Sequence, residues 1–455
     1  MNESRFQMKN LPPVKIISGS FALIILVGTL LLMLPISSKE GVPTNLVNSL
    51  FTATSATCVT GLVVYDTYTH WSLFGQGVIL ALIQAGGLGL LTFASFFNMV
   101  LGRKLSLRGM QLASESINAI SFGDVPRMLR MVILFTLAAE SIGAALLSLE
   151  FVPAYGLHGV LISVFLSVSA FCNAGFDILG FQGQFISLSN YNDSYLVLFT
   201  IMVLIIVGGL GFLVWSDLLS YKKGHKFMLH TKIVLVFTGL LIVSGAVLFA
   251  LFEWNNPDTL GPLSLKEKLG ACLFQSVTLR TAGFNTIDAS KFYDITKTIS
   301  ILYMFIGAAP GSTGGGIKVT TMAVIIMTAV SMIRGKDEPM ILNRRIPAKV
   351  IYRSISIVFL GVLVVCVTSG IISASSLIDD VRFTGVDAVF ESVSAFATVG
   401  ISSGISPVAG LASKLALSVT MFIGRVGPVA FGMTIASQRT SPRRMIIPEG
   451  KILVG

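Results

Sequence analysis

Apolar residues run in long uninterrupted stretches along this chain, and short polar segments between them carry most of the charge. Four of the uncharged runs cover residues 16–38, 194–216, 233–252 and 354–378. A helix crosses the hydrocarbon core of a bilayer with about 20 residues, so each run is long enough to span. Because lipid cannot satisfy exposed backbone groups, such runs must form helices or lie inside a helical bundle. The pattern predicts an all-α polytopic membrane protein.

The order of long and short apolar runs occurs four times. The predicted repeats cover residues 14–104, 126–223, 231–334 and 348–438, and a tail at 439–455 follows. Each repeat reads as an outer spanning helix, a short apolar piece, a glycine loop and an inner spanning helix. The short pieces lie at residues 46–57, 158–171, 265–279 and 385–396, too short to span, and are candidate re-entrant pore helices. Four pseudo-symmetric repeats around one central pore would give eight spanning helices.

Each short piece ends in a loop with one glycine, and the four loops share a pattern of small and hydroxyl residues. They are Val59, Thr60 and Gly61; Asn173, Ala174 and Gly175; Thr281, Ala282 and Gly283; and Thr398, Val399 and Gly400. Four such loops around an axis would present a ring of backbone carbonyls that can replace the water shell of a small cation. Glycine suits this position because it permits a positive φ. No carboxylate lies between a short piece and its glycine, which favours a monovalent cation.

The inner helix of the third repeat contains a segment that cannot hold a regular helix. It comprises Gly307, Ala308, Ala309, Pro310, Gly311, Ser312, Thr313, Gly314, Gly315 and Gly316. Proline removes a helix donor and glycine weakens a helix by roughly 1 kcal/mol relative to alanine. Apolar runs flank the segment, so we expect a broken spanning helix with an irregular loop facing the pore. The alternative is a cytoplasmic turn between two shorter helices. Glycine clusters at 86–89 and 208–211, in the first two inner helices, indicate close helix packing instead.

Two charged residues lie inside apolar runs. We expect Arg425 to face a cavity or a polar partner, because a charge at that depth is costly. The alternative is that Arg425 snorkels to the cytoplasmic interface. Glu140 is the one clear candidate for an intramembrane carboxylate, and we interpret it as a helix-contact or subunit-interface hydrogen bond.

Charge is scarce and asymmetrically placed. Only 12% of the residues are charged, against roughly 25% in soluble domains, and the formal net charge is +10. Most Lys and Arg fall in clusters at residues 5–15, 103–130, 222–232, 334–353 and 439–451, whereas acids prefer the gaps between them. The positive-inside rule places these clusters and both termini in the cytoplasm. This placement argues against a nucleic-acid partner and for a lipid bilayer.

The sequence contains no candidate residues for enzyme catalysis. Cys58, Cys172, Cys272 and Cys366 form no CxxC motif and lie in apolar runs, so we interpret them as packing residues. No nucleophile–base pair, metal cluster or nucleotide-binding fingerprint is found. The sequence predicts a protein that is not an enzyme and holds no cofactor of its own.

With its four loops, the chain resembles the Trk/Ktr/HKT superfamily of potassium transporters over roughly residues 14–437. Thr398, Val399 and Gly400 match the first three residues of the potassium-channel filter Thr-Val-Gly-Tyr-Gly, and the other loops have the single glycine typical of the family. The resemblance implies potassium uptake through a channel-like pore, with the four loops as selectivity filter and residues 307–316 with Arg425 as gate. In such a gate we expect Arg425 to donate hydrogen bonds to backbone carbonyls of residues 307–316 and to form a positive barrier in the cavity. Gly61 stands where sodium-selective plant relatives carry serine, which favours potassium.

The chain begins at the first repeat, without the extra N-terminal helices of the Trk type, and is most similar to the membrane subunit of the Ktr type. That resemblance implies a homodimer in a bacterial plasma membrane, regulated by a cytoplasmic octameric ring of a KtrA-type subunit that binds ATP, ADP or NAD(H). Potassium would be the substrate and sodium a candidate modulator. A rival interpretation is a secondary cation transporter that works by alternating access around residues 307–316.

Overall fold

The computed structural model describes residues 13–89, 125–221, 226–335, 339–342, 344–378 and 383–435, with single positions at 92, 95, 110, 111 and 114. The predicted tail at 439–455 and two of the basic clusters, at 5–15 and 439–451, lie wholly or mostly outside these residues. The described part of the chain is helical, apart from one small hairpin of β1 (Met340–Ile341) and β2 (Arg344–Arg345).

The α-helices follow in chain order. They are α1 (Pro13–Leu32), α2 (Leu46–Cys58), α3 (Thr67–His70), α4 (Leu73–Leu88), α5 (Val125–Tyr155), α6 (Leu157–Phe171), α7 (Tyr195–Leu210), α8 (Phe212–Leu219), α9 (Leu229–Glu253), α10 (Leu265–Thr278), α11 (Asp294–Phe305), α12 (Val319–Ile333), α13 (Ala348–Ile378), α14 (Gly385–Ala397), α15 (Ile405–Val408), α16 (Leu411–Val426) and α17 (Pro428–Ile435). Short 3₁₀ turns occur at Pro35–Ser37, Ser189–Tyr191 and Ala289–Lys291.

Four of the described helices, α1, α5, α9 and α13, are each long and apolar enough to cross a membrane. Between 22% and 33% of the residues in their most apolar windows are buried, so most of each helix surface faces outward. Apolar side chains on that surface are what a lipid environment requires. The pair α7 and α8 would make a fifth span if the bent pair is counted as one.

The inner helices are interrupted more widely than the sequence predicts. The third breaks as expected, between Phe305 and Val319. The run at 194–220, predicted as one helix, instead bends by 94° between α7 and α8, and the run at 413–437 breaks between α16 and α17. At these two breaks Gly211 and Gly427 have φ of 88° and 94°, which only glycine adopts without strain and which ends the helical hydrogen-bond ladder. The glycine clusters therefore break helices as well as pack them.

The four short pieces form α2, α6, α10 and α14, which we call the pore helices. Each packs against the outer helix of its own predicted repeat, and each also packs against the inner helix of the repeat before it. The second set of contacts is α2 with α16, α6 with α4, α10 with α7, and α14 with α11. Since the last repeat thereby contacts the first, the four pore helices close into a ring.

Local capping explains where the pore helices begin. A helix of 13 or 14 residues is marginal in isolation, so its free N–H groups need partners. Asn45 caps α2 by accepting from the Val47 amide. Capping boxes start α10, with Ser264 and Glu267, and α14, with Thr384 and Asp387.

Lysines on two inner helices tie neighbouring repeats together. Lys297 of α11 lies 2.8 Å from the Asp387 carboxylate at the start of α14. Lys414 of α16 donates to the side-chain oxygen of Asn48 at the start of α2, at 3.0 Å. Both lysines stand fourteen residues after a loop glycine, and both partners stand thirteen residues before one. The two contacts therefore occupy corresponding places, one as an ion pair and one as a hydrogen bond from an ammonium to a neutral amide.

The corresponding positions of the two lysine contacts lead us to expect that one substitution at Asn48 will stabilise the protein. N48D should turn the Lys414 contact into the ion pair found at Lys297, and the Tyr65 hydroxyl, which now accepts from Asn48, can donate to the new carboxylate. An ion pair adds the attraction of a second charge to the existing bond from the ammonium, so we expect a gain of up to about 1 kcal/mol. The measurement is the melting temperature in detergent, which should rise. In a K414M background the same substitution should give no gain, and a gain there would contradict the pairing.

Candidate functional site

The residues that follow each pore helix share one backbone pattern. The residue two places before the loop glycine has a positive φ, the middle residue does not, and the glycine again does. The positive angles are 58° at Val59, 58° at Asn173, 66° at Thr281 and 51° at Thr398, and 94° at Gly61, 67° at Gly175, 83° at Gly283 and 92° at Gly400. Alternation of this kind turns neighbouring peptide groups toward one side of the chain, where they can face an ion together.

The four loops meet edge to edge. A methyl group added to any one of the four glycines would strike the middle carbonyl of the next loop. The pairs are Gly61 with Ala174 O, at 2.5 Å, Gly175 with Ala282 O and Gly283 with Val399 O, each at 2.6 Å, and Gly400 with Thr60 O. The structure thus brings all twelve predicted loop residues into a single closed ring, and glycine is required at four points of it.

Serines brace two of the loops in the same way. The Gly61 amide donates to the Ser55 hydroxyl and the Gly400 amide donates to the Ser394 hydroxyl, both at 3.1 Å. Each serine stands six residues before its glycine. The third loop has Val277 at that place and is held by Thr278, whose hydroxyl donates to Phe284 O at 2.7 Å. The serines are visible in the sequence, but only the alignment of the four loops reveals their common position.

An acidic cavity of about 260 Å³ lies against the ring. All four loop glycines line it, together with Asp66, Asp177 and Asp288. Each of these acids follows the glycine of its own loop by two or five residues, while the fourth loop places Ser402 here. Carboxylates around a confined opening raise the local concentration of cations. The charge pattern of the sequence predicts acids on the outer side, but it does not group these three.

Hydrogen bonds in the cavity wall join neighbouring predicted repeats. Asp66 accepts from the amides of Thr69, at 2.8 Å, and of Phe185, at 3.0 Å, which joins the first repeat to the second. The Asn285 amide donates to the Ser187 hydroxyl at 3.2 Å, which joins the third repeat to the second. Burial raises the pKa of the Asp177 carboxyl to about 6, and the nearby Asp66 charge acts in the same direction.

Residues 306–318 form an irregular loop beneath the ring. Its two ends, Ile306 and Ile317, pair as a parallel bridge, so the chain enters and leaves in the same direction, as in an interrupted helix rather than a turn. The loop forms backbone hydrogen bonds with the second inner helix at the point where that helix breaks. Ala309 N donates to Gly209 O at 3.0 Å, and Phe212 N donates to Gly311 O at 2.9 Å. These bonds satisfy backbone groups that lipid could not.

The loop also touches the second pore helix and a lysine. The Thr313 hydroxyl donates to Phe171 O, the last carbonyl of α6, at 3.1 Å. The Lys318 ammonium donates to Gly314 O at 2.7 Å, so it turns inward onto the loop.

Arg425 lies between this loop and the first inner helix. Its guanidinium donates to Thr313 O, one of the predicted partners, and also to Gly86 O at 2.5 Å and Gly87 O at 3.2 Å. The last two carbonyls lie at the C-terminal end of α4, where the helix dipole favours a cation. The Arg425 side chain therefore contacts the protein interior and does not snorkel to the cytoplasmic interface.

Glu140 is not the single buried carboxylate of the pore region. Glu391 of α14 is fully buried, and it accepts from Ser402 Oγ at 2.8 Å, from the amides of Ser403 and Ser406 at 2.9 and 3.1 Å, and from the Ser406 hydroxyl. It therefore anchors the segment that follows Gly400. The sequence gives no local signal for this role of Glu391, because the three serines that bond to its carboxylate lie 11 to 15 residues away.

Comparison with known proteins identifies the lineage. Residues 8–443 match the family model named TrkH, described as a cation transport protein. The chain belongs to this family. The resemblance to the Trk/Ktr/HKT superfamily seen in the sequence is thereby confirmed.

Similar proteins span almost the whole chain. One is the Ktr system potassium uptake protein B of Bacillus subtilis, 39% identical over 453 residues and covering 97% of both chains. Another is the potassium/sodium uptake protein NtpJ of Enterococcus hirae, 36% identical over 451 residues and covering 98% of both chains. The fold is similar to the crystal structure of the potassium transporter TrkH from Vibrio parahaemolyticus, with a TM-score of 0.69 at 17% identity, over 92% of this chain and 85% of that one. The chain is thus a polytopic helical membrane protein of a transporter family.

Proposed function

We propose that this protein takes up potassium through a central pore whose selectivity filter is the ring of four glycine loops. The observation that carries the proposal is the closure of that ring, in which every loop glycine faces the middle carbonyl of the next loop. A ring of carbonyls can replace the hydration shell of a monovalent cation without any acidic side chain. Relatives named for potassium uptake, at 39% and 37% identity, support the choice of ion.

The pore would be built from four repeats and eight spans, with the broken inner helices counted as single crossings. The acidic cavity would gather cations on the outer side, in agreement with cytoplasmic termini and basic clusters. Below the ring, residues 307–316 and Arg425 would form the gate, since the loop occupies the space beneath the filter and the guanidinium clasps it. The membrane would be a bacterial plasma membrane.

Regulation would come from outside this chain. We place a KtrA-type cytoplasmic ring, with nucleotide bound to its own subunits, on the side of the basic segments, and a homodimer of this chain above it. The support is the likeness to proteins named as the B and D components of Ktr systems. Sodium is proposed as a modulator, because a relative is named for potassium/sodium uptake.

Flux in liposomes tests the proposed pore. Purified protein should carry potassium down its gradient in preference to sodium, without a second ion gradient. G283A should abolish or strongly reduce this preference, because the added methyl would lie 2.6 Å from Val399 O at a φ of 83°. G239A is the matched control, since nothing lies within 4 Å of a methyl group there. Potassium flux that requires a coupled sodium or proton gradient would instead support alternating access.

Potassium flux in variants of Arg425 tests the proposed gate. R425A removes the donor to Thr313 O and to two carbonyls of α4, so the loop should open more readily and potassium flux without the regulator should rise several-fold. R425K should be intermediate, because an ammonium cannot span the same set of carbonyls. R334A, on an exposed arginine just after α12, is the control. Unchanged flux in R425A at normal purity and folding would remove Arg425 from the gate.

The pH dependence of the apparent KM for potassium tests the role of the acidic cavity. As pH falls through about 6, Asp177 should take up a proton, and the cavity should lose one of three negative charges. A unit charge about 6 Å from an ion is worth roughly 0.7 kcal/mol in water, so the apparent KM for potassium should rise about threefold between pH 7.5 and 5. D177N should have the raised KM at both pH values. A KM in D177N that still depends on pH would assign the effect to another group.

A further inference from the structure

We propose that Glu140 is a positioning residue for the second filter loop and, through that loop, helps to set the preference for potassium over sodium. It would act through Gln84 and Cys172. This inference rests on the proposed function, because it concerns the selectivity of the same ring. Glu140 itself lies behind the loop and does not line the cavity against the ring.

The three side chains form a compact cluster that joins three elements. The Gln84 amide of α4 donates to one carboxylate oxygen of Glu140 in α5, at 3.2 Å. The Cys172 thiol donates to the Gln84 side-chain oxygen at 3.5 Å and faces the other Glu140 oxygen at 3.9 Å. Cys172 is the residue directly before Asn173, where the backbone of the filter loop first turns to a positive φ. A hydrogen-bonded carboxylate is thus connected to the start of the loop.

The surrounding backbone holds this cluster in place. A methyl group at Gly87 would lie 2.7 Å from Cys172 Sγ, so α4 passes close behind the loop because this residue is glycine. The Ser167 hydroxyl of the second pore helix donates to Glu140 O at 2.7 Å, which fixes α5 against that helix. Glu140 is 7% exposed and Cys172 is fully buried. A carboxylate that has left water needs its few donors, so its removal should disturb those donors and the loop they support.

The cluster is specific to the second loop. Residues at the place of Cys172 in the other loops are Cys58, Arg280 and Ala397. The first and fourth loops are braced from inside by Ser55 and Ser394, whereas the corresponding hydroxyl of Ser169 has no hydrogen-bond partner among the described residues. The second loop therefore lacks the serine brace that holds those two loops, and the Glu140 cluster supports it from the side.

The test compares potassium and sodium flux in liposomes for E140L, Q84L and the double variant. Each single change should lower the potassium-to-sodium ratio by about tenfold, the equivalent of 1.4 kcal/mol, which is the scale of one hydrogen bond to a charged group. The double variant should be no worse than either single one, because both act through the same contact. C172A should give a smaller loss, and C172S, which keeps a donor, should recover most of the wild-type ratio.

E150L is the matched control, since Glu150 lies on the same helix and is exposed. If E140L does not purify in a monodisperse form, Q84L and the C172A and C172S pair carry the same test. Wild-type ratios in all of these variants, or additive losses in the double variant, would overturn the inference. The absence of selective potassium flux in the wild type would instead overturn the proposed function.

Discussion

A helix that stops within a bilayer leaves its last carbonyl groups without partners, and this constraint shapes the centre of the protein. Four pore helices end near one axis, and the inner helices approach them through glycines. At three of these glycines the inner helix passes so close to a pore helix that a side chain would strike a carbonyl oxygen. The pairs are Gly86 with Thr57 O, Gly208 with Phe171 O, and Gly424 with Phe396 O. Each carbonyl belongs to the last turn of a pore helix or adjoins it. Side chains at these glycines would separate the layers and leave the helix ends exposed to a medium without hydrogen-bond donors.

The same glycines explain what the sequence could and could not predict. The order of long and short apolar runs was sufficient to locate the pore helices and the four loops, because hydropathy and single glycines are local signals. The breaks at Gly211 and Gly427 were not predicted, since an apolar run looks the same whether its helix continues or bends. A positive φ depends on what the neighbouring backbone needs, and here a side chain at Gly211 would lie 2.7 Å from Pro310 O, while the Phe212 amide donates to Gly311 O of the same loop.

Long-range polar contacts show the other limit. Arg425 could be matched to the irregular loop through the family resemblance, whereas its residue type alone indicated only that a buried arginine needs acceptors. Glu391 could not be matched to its serines, nor Lys297 to Asp387, because many polar residues of similar type lie in the connecting segments. The sequence thus predicts which groups need a partner, whereas the packing of the helices decides which partner each one has.

The composition of the loop beneath the ring has a consequence for energy coupling. No ionisable side chain lies between Gly307 and Ile317, and the guanidinium that clasps the loop is also held by two carbonyls of α4. Displacement of residues 307–317 relative to Lys318 and Arg425, which hold them, would transfer no formal charge across the membrane field, whereas each transferred elementary charge is worth about 2.3 kcal/mol per 100 mV. The resting potential would therefore do little work on this loop. In the proposed gate, the work of opening would therefore come from protein contacts that reach the loop along α12, the segment that leads toward the basic residues after it.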